Sequence, residues 1–174
     1  MREEFSSEET IKNLLQILDE SGSKPIDKVF NEIFPSRFEA GYCLVAIAKE
    51  KKYSEKQRIL AMKQLGLMRE DASSNILVDN LSLGYKGPIQ FEELTSSNFP
   101  VGFALIRMGP SKTIRTHLLN KITYSDDEVI RLCAFVLMKI EDKDVAGFIL
   151  KREIDKEKNA KQKANLEKAL SFLE

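Results

Sequence analysis

Residues 125–152 read SDDEVIRLCAFVLMKIEDKDVAGFILKR, and this stretch decides the fold. Ser125 followed three residues later by Glu128 is a helix-start signal, in which the hydroxyl takes an orphan N–H and the carboxylate reaches back. Tyr124 and Val129 fall at the two positions of a hydrophobic staple across that start. Behind it Ile130, Ala134, Leu137 and Met138 recur at helical spacing. A short turn then leads into a second amphipathic segment, 143–154, with Val145, Ala146, Ile149 and Leu150 on its core side. Phe148 is expected at the edge of that arc, near Arg152. The stretch is a helix, a turn and a helix, with nothing in it that looks like chemistry.

The same grammar runs along the whole chain. Ser/Thr-to-Glu/Gln signals recur at Ser6/Glu9, Ser36/Glu39 and Ser54/Gln57. Ile11, Leu14, Leu15 and Leu18 form one apolar face, Ile59, Ala61, Met62 and Leu65 a second, and Ile114, Leu118 and Ile122 a third. Breaks fall at Ser21-Gly22-Ser23, Pro25, Pro35, Gly84, Gly87-Pro88 and Gly109-Pro110. No alternating run suggests a strand. The expectation is an all-α chain of about ten helices, folded as consecutive antiparallel pairs.

Comparing the chain with itself adds a repeat. Arg58-x-x-Ala61-x-x-x-Leu65 and Arg131-x-x-Ala134-x-x-x-Met138 share one pattern, and Ala104 with Met108 keeps it without the Arg. The alanines step by 43 and then 30 residues, and the excess of 13 is close to the length of GYKGPIQFEELTSS at 84–97. That segment reads as an insertion between repeats. Second helices are expected at 72–83, 111–122 and 143–154, with a last helix at 159–173. A helix pair cannot bury its apolar face alone, so pairs stack into a continuous core.

This pattern resembles the HEAT-like (HEAT/armadillo-type) helical repeats over about residues 54–173, where Arg131 and Ala134 match the family's Arg and Ala positions. The resemblance implies an α-α superhelix, a short solenoid of stacked pairs, forming one domain over 1–174. Arg37-x-x-Ala40-x-x-x-Leu44 matches too, but only 21 residues before Arg58, too few for a full pair. Residues 1–53 are therefore expected to hold irregular N-terminal helices or a cap. A non-repetitive helical bundle is the alternative architecture.

Little in the chain points to chemistry. Hydrophobic residues make up 43% and charged residues 31%, an ordinary globular composition. Lys plus Arg equals Asp plus Glu at 27 each, so no global field draws in nucleic acid or a membrane. No run approaches the length of a membrane span, and MREEFSSEET is unlike a secretory leader. Cys43 and Cys133 stand apart in apolar helical contexts, as buried thiols in a reducing compartment do, and a cytoplasmic location is expected. His117 is the one histidine, which makes neither a zinc site nor the di-iron site that some HEAT-like proteins build from several His-Glu pairs. There is no GxxxxGK(S/T), GxGxxG or GxSxG. No cofactor and no catalytic residue is expected.

Charge is the positive lead. Between Glu93 and Asp126 no acid occurs, and Arg107, Lys112, Arg115 and Lys121 give +4, whereas residues 1–35 carry −4. The HEAT-like resemblance implies that second helices line the concave face, so Lys112 and Arg115 would share a basic stripe there with Lys151 and Arg152. Phe148 beside Arg152 has the makings of an interface anchor. Tyr85 and Phe91 in the insertion either face a partner or fold back into the gap between repeats. The leading expectation is a non-catalytic protein–protein interaction or scaffold module using the concave face, for an acidic partner. The alternative is a nucleic-acid-binding protein related to HEAT-like DNA glycosylases, which net neutrality and the absence of Trp disfavour. A third reading is an enzyme subunit or lyase-type chaperone related to phycobilisome HEAT-like repeats.

Overall fold

The computed structural model describes residues 8–21, 37–69 and 71–174. Among these the chain is all-helical, in the order α1 (Glu8–Ser21), α2 (Arg37–Lys49), α3 (Glu55–Met68), α4 (Ser74–Asp79), α5 (Pro100–Met108), α6 (Lys112–Tyr124), α7 (Asp127–Glu141), α8 (Lys143–Lys156) and α9 (Ala160–Ser171). Short 3-10 turns cover Asp71–Ser73 and Phe91–Glu93. Helices lie where expected at 111–122, 143–154 and 159–173, whereas the one expected over 72–83 is an α-helix only at Ser74–Asp79; no α-helix forms between α4 and α5, where the alanine spacing suggests an insertion. The signals at Ser6 and Ser36, the breaks at 22–35 and the acidic residues of 1–7 and 22–35 lie outside the described residues.

First helices pack on first helices. α3 lies against α5, and α5 against α7, while α4 and α6 pack together in the second row. α3 and α5 approach closely: a Cβ added at Gly66 would lie 2.5 Å from the carbonyl oxygen of Ala104. Ala61, Ala104 and Ala134 are all buried, as small residues at a tight helix contact must be. The repeat arginines act as staples between segments. Arg58 donates from Nε to the Ala48 carbonyl at 3.0 Å and from a terminal nitrogen to Asn80 Oδ1 at 2.7 Å. Arg131 does the equivalent to the insertion, donating to the Ile89 carbonyl at 2.7 Å and to the Tyr85 hydroxyl.

α7 is enclosed by its neighbours. It packs against α5, α6, α8 and α9, and Leu132 through Leu137 are buried without interruption. A helix that is apolar around most of its circumference has to be surrounded in this way. α9 completes the enclosure. Its Asn165 side chain donates to the Thr123 carbonyl at 3.0 Å and, more weakly, to that of Ser125 at 3.4 Å, and Lys168 pairs with Asp127.

The helix starts partly match the sequence reading. Ser54 and Gln57 form the expected reciprocal box at α3. At α7 the box expected from Ser125 and Glu128 is absent: Asp126 is the cap, its carboxylate accepting from the Val129 N–H at 3.0 Å. A carboxylate one residue further along does the same job and adds a negative charge at the positive end of the helix dipole. The register shift also undoes the staple, and Tyr124 is left 78% exposed. At the two sharp corners the backbone takes positive φ: +85° at Gly109, where the absence of a Cβ makes this easy, and +62° at Asp142. Asp142 offsets its strain by capping α8, accepting from the Asp144 and Val145 N–H groups at 3.0 and 3.1 Å.

Candidate interaction surface

The four cations expected to form one stripe have different surroundings. Arg115 is turned towards the end of α7, where two of its nitrogens donate to Glu141 Oε1 at 3.1 and 2.8 Å. Glu141 is largely buried, with a side chain 8% exposed, so this pair is part of the packing rather than a free charge. Arg152 leans on its neighbour Glu153 at 3.1 Å, and Lys156 reaches the same carboxylate at 3.0 Å. Partial burial alone would raise the Glu153 carboxyl, but the hydrogen bonds and charges of Lys156 and Arg152 outweigh it and hold it below its usual range. Lys112 and Lys151 are exposed and have no acidic partner among the described residues.

Besides α7, both α6 and α8 pack against α9. Where the three meet, a shallow cavity of about 180 Å³ is lined by Tyr124, Glu153, Lys156 and Glu157. Its charges are mixed. Elsewhere in the basic window, Lys121 approaches Asp79 at 3.7 Å, and Arg107 lies at the end of α5 near Lys63. Burial, and then the charge of Arg107, lowers the Lys63 ammonium pKa below its ordinary value.

α8 carries the largest apolar exposure of any helix interior among the described residues. Ala146, Ile149 and Leu150 are buried and fix the inward direction of the helix. At 100° per residue that direction puts Phe148 near the middle of the outward face, not at the edge of the core arc. Phe148 is 66% exposed. Val145, expected to face the core, is 42% exposed one turn away, because at 100° per residue it lies roughly a quarter turn off the direction set by Ala146, Ile149 and Leu150. Lys151 and Arg152 follow one turn beyond Phe148, and the four side chains occupy one strip of the helix.

The insertion aromatics are engaged internally. The Tyr85 hydroxyl accepts from Arg131 and from the Ile89 N–H, the latter at 3.2 Å. Phe91 lies 5.2 Å from the Phe135 ring centre and 6.5 Å from that of Phe172, with the Arg131 guanidinium 5.4 Å above it. Phe99 and Phe103 complete an aromatic cluster around Phe135. Of the two outcomes open for the insertion, folding back between the repeats describes both residues. No sequence signal distinguishes them, since an aromatic in a loop carries no mark of its direction.

Cys43 and Cys133 are buried and unbridged. Burial pushes the Cys133 thiol up to about 12, and it raises Cys43 too, with Glu39 adding to the effect. His117 is half-buried on α6. Among the described residues no cluster of three His, Cys, Asp or Glu side chains is placed to hold a metal ion, and no helix is long and apolar enough to cross a membrane. Compared with known proteins, the chain matches no family model, no curated protein and no solved structure.

Proposed function

We propose that this chain is a non-catalytic interaction module of the HEAT-like type, and that it holds a protein partner on the outward strip of α8. The observation that carries the reading is Phe148, 66% exposed at the centre of the strip with Val145 beside it. A large aromatic held on a rigid helix, away from any packing role, is the residue type on which interface energy concentrates. Lys151, exposed and without an acidic partner among the described residues, sits next to it and favours a partner segment bearing carboxylates. The stack of helices beneath, with α7 enclosed by its neighbours, supplies the stiffness such a surface needs.

The nucleic-acid alternative draws less from the same geometry. Arg115 and Arg152 are already charge-paired, so a phosphate backbone would have to displace Glu141 and Glu153 to use them. The test is capture of partners from native lysate by the wild-type chain, by Phe148→Asp, and by Lys151→Glu. All three proteins are expected to fold alike, since both sites are exposed. Loss of the same partner with either substitution is the expected result. A captured set that is unchanged by Phe148→Asp would refute the assignment, and binding to duplex DNA that weakens steeply with salt would favour the alternative.

A further inference from the structure

The insertion and the end of α9 border a second, larger cavity that is open to solvent. It measures about 590 Å³ and is lined by Ile89, Gln90 and Phe91 of the insertion, Arg131 of α7, and Ser171 and Phe172 at the chain's last helix. This is within the size of a small-molecule site. Its charge chemistry rests on Arg131. The guanidinium is fixed from one side by the Ile89 carbonyl and the Tyr85 hydroxyl, and by the Phe91 ring beneath it. Both hydrogen-bond partners are neutral, and no ion pair is made among the described residues, so within these the positive charge is held in place without being cancelled. An arginine has five N–H donors, and these two bonds leave roughly three for a ligand.

Arg115, on the helix before, faces Glu141 and has its charge answered. Arg58 bonds neutral acceptors as Arg131 does, but it does not line this cavity. Of the three, only Arg131 combines a fixed, unanswered charge with open space and aromatic walls. The one carboxylate on the lining is Glu92, which is exposed at the rim and makes no ion pair with Arg131 among the described residues.

We propose that this cavity binds an aromatic carboxylate, with the carboxyl group on Arg131 and the ring against Phe172 and Phe91. A planar carboxylate matches the guanidinium fork with two parallel hydrogen bonds, which a neutral amide cannot do with the same strength. The ligand is either a free small acid or the carboxyl terminus of a partner chain that ends in an aromatic residue. Binding here is independent of the α8 strip, and substitutions at Phe148 leave it unchanged.

Titration calorimetry separates these cases with four probes: phenylacetate, phenylacetamide, and a tetrapeptide ending in Phe with a free or an amidated terminus. The acid is expected to bind about tenfold or more tightly than its amide, the difference of one charge-assisted interaction. Tighter binding of the free-acid peptide than of phenylacetate assigns the site to a chain terminus; binding of phenylacetate with exclusion of the peptide assigns it to a free acid. Because Arg131→Gln also releases the insertion, the decisive variants are at exposed positions. Ser171→Glu, whose hydroxyl bonds only the Lys168 carbonyl, is expected to weaken the acid about tenfold, and Glu92→Gln to tighten it several-fold. Equal binding of acid and amide, no binding of either acid at millimolar concentration, or indifference to both variants would overturn the proposal.

Discussion

Substituting Gly66 by Ala tests the close packing of the first helices most directly. In an isolated helix this change stabilises by about 1 kcal/mol, because Ala loses less backbone freedom on folding. Here the new Cβ would lie 2.5 Å from the Ala104 carbonyl oxygen and 2.9 Å from both its Cα and its Cβ. A carbon–oxygen contact normally stops at about 3.3 Å, so α3 and α5 would have to separate by about 0.8 Å. The obstacle is backbone on a packed helix, which cannot swing aside as a side chain can. Overpacking of this kind costs about 1–3 kcal/mol, and the backbone clash puts it in the upper half of that range. Set against the gain in helix propensity, the net loss is about 1–2 kcal/mol. For a chain of 174 residues that lowers the Tm by roughly 2–8 °C. Gly147→Ala is the internal control: its nearest neighbour is Leu170 Cδ1 at 3.9 Å, an ordinary contact, so the same change in α8 should stabilise by about 0.5–1 kcal/mol. Urea denaturation of the three proteins reads both signs. If Gly66→Ala stabilises as much as Gly147→Ala, the α3–α5 contact is not as close as described and the reasoning fails.

The start of α7 gives a second test, since Asp126→Ala should cost about 1 kcal/mol while Ser125→Ala stays within about 0.5 kcal/mol; the reverse order would restore the Ser125–Glu128 box. The thiols give a third. Burial raises both Cys pKa values, Cys133 to about 12, so thiolate is scarce at pH 8 and a disulfide reagent should react only as fast as the chain opens. Both cysteines should titrate at once in denaturant; rapid native-state labelling of Cys133 would contradict its burial.

The sequence determined the helices, because period and punctuation are local properties. The apolar face Ile114, Leu118, Ile122 predicts α6, and all three are fully buried. The unequal spacing of Ala61, Ala104 and Ala134 suggests an insertion at 84–97, and between Asp79 and Pro100 the backbone forms no α-helix. Where two local signals compete, the sequence does not choose between them: Ser125 and Asp126 are both good caps, and in the structure the second is the one used.

Tertiary structure decided every question of direction. A charge on a helix is equally legible whether it faces solvent or a carboxylate, so Arg115 and Lys112 look alike in sequence and differ only because Glu141 ends the next helix. Phe148 and Phe91 differ in the same way: among the described residues one has no neighbour to bury it, and the other meets Phe135 and Phe172 across contacts 44 and 81 residues away along the chain. Arg131 is the clearest case. Its place in the repeat is readable from spacing, but its grip on the insertion, and the cavity beside it, arise only when α7, the insertion and α9 are brought together. Local periodicity specifies which face of a helix is apolar. What that face and its opposite touch is set by segments distant in the chain, and a single sequence carries no local record of them.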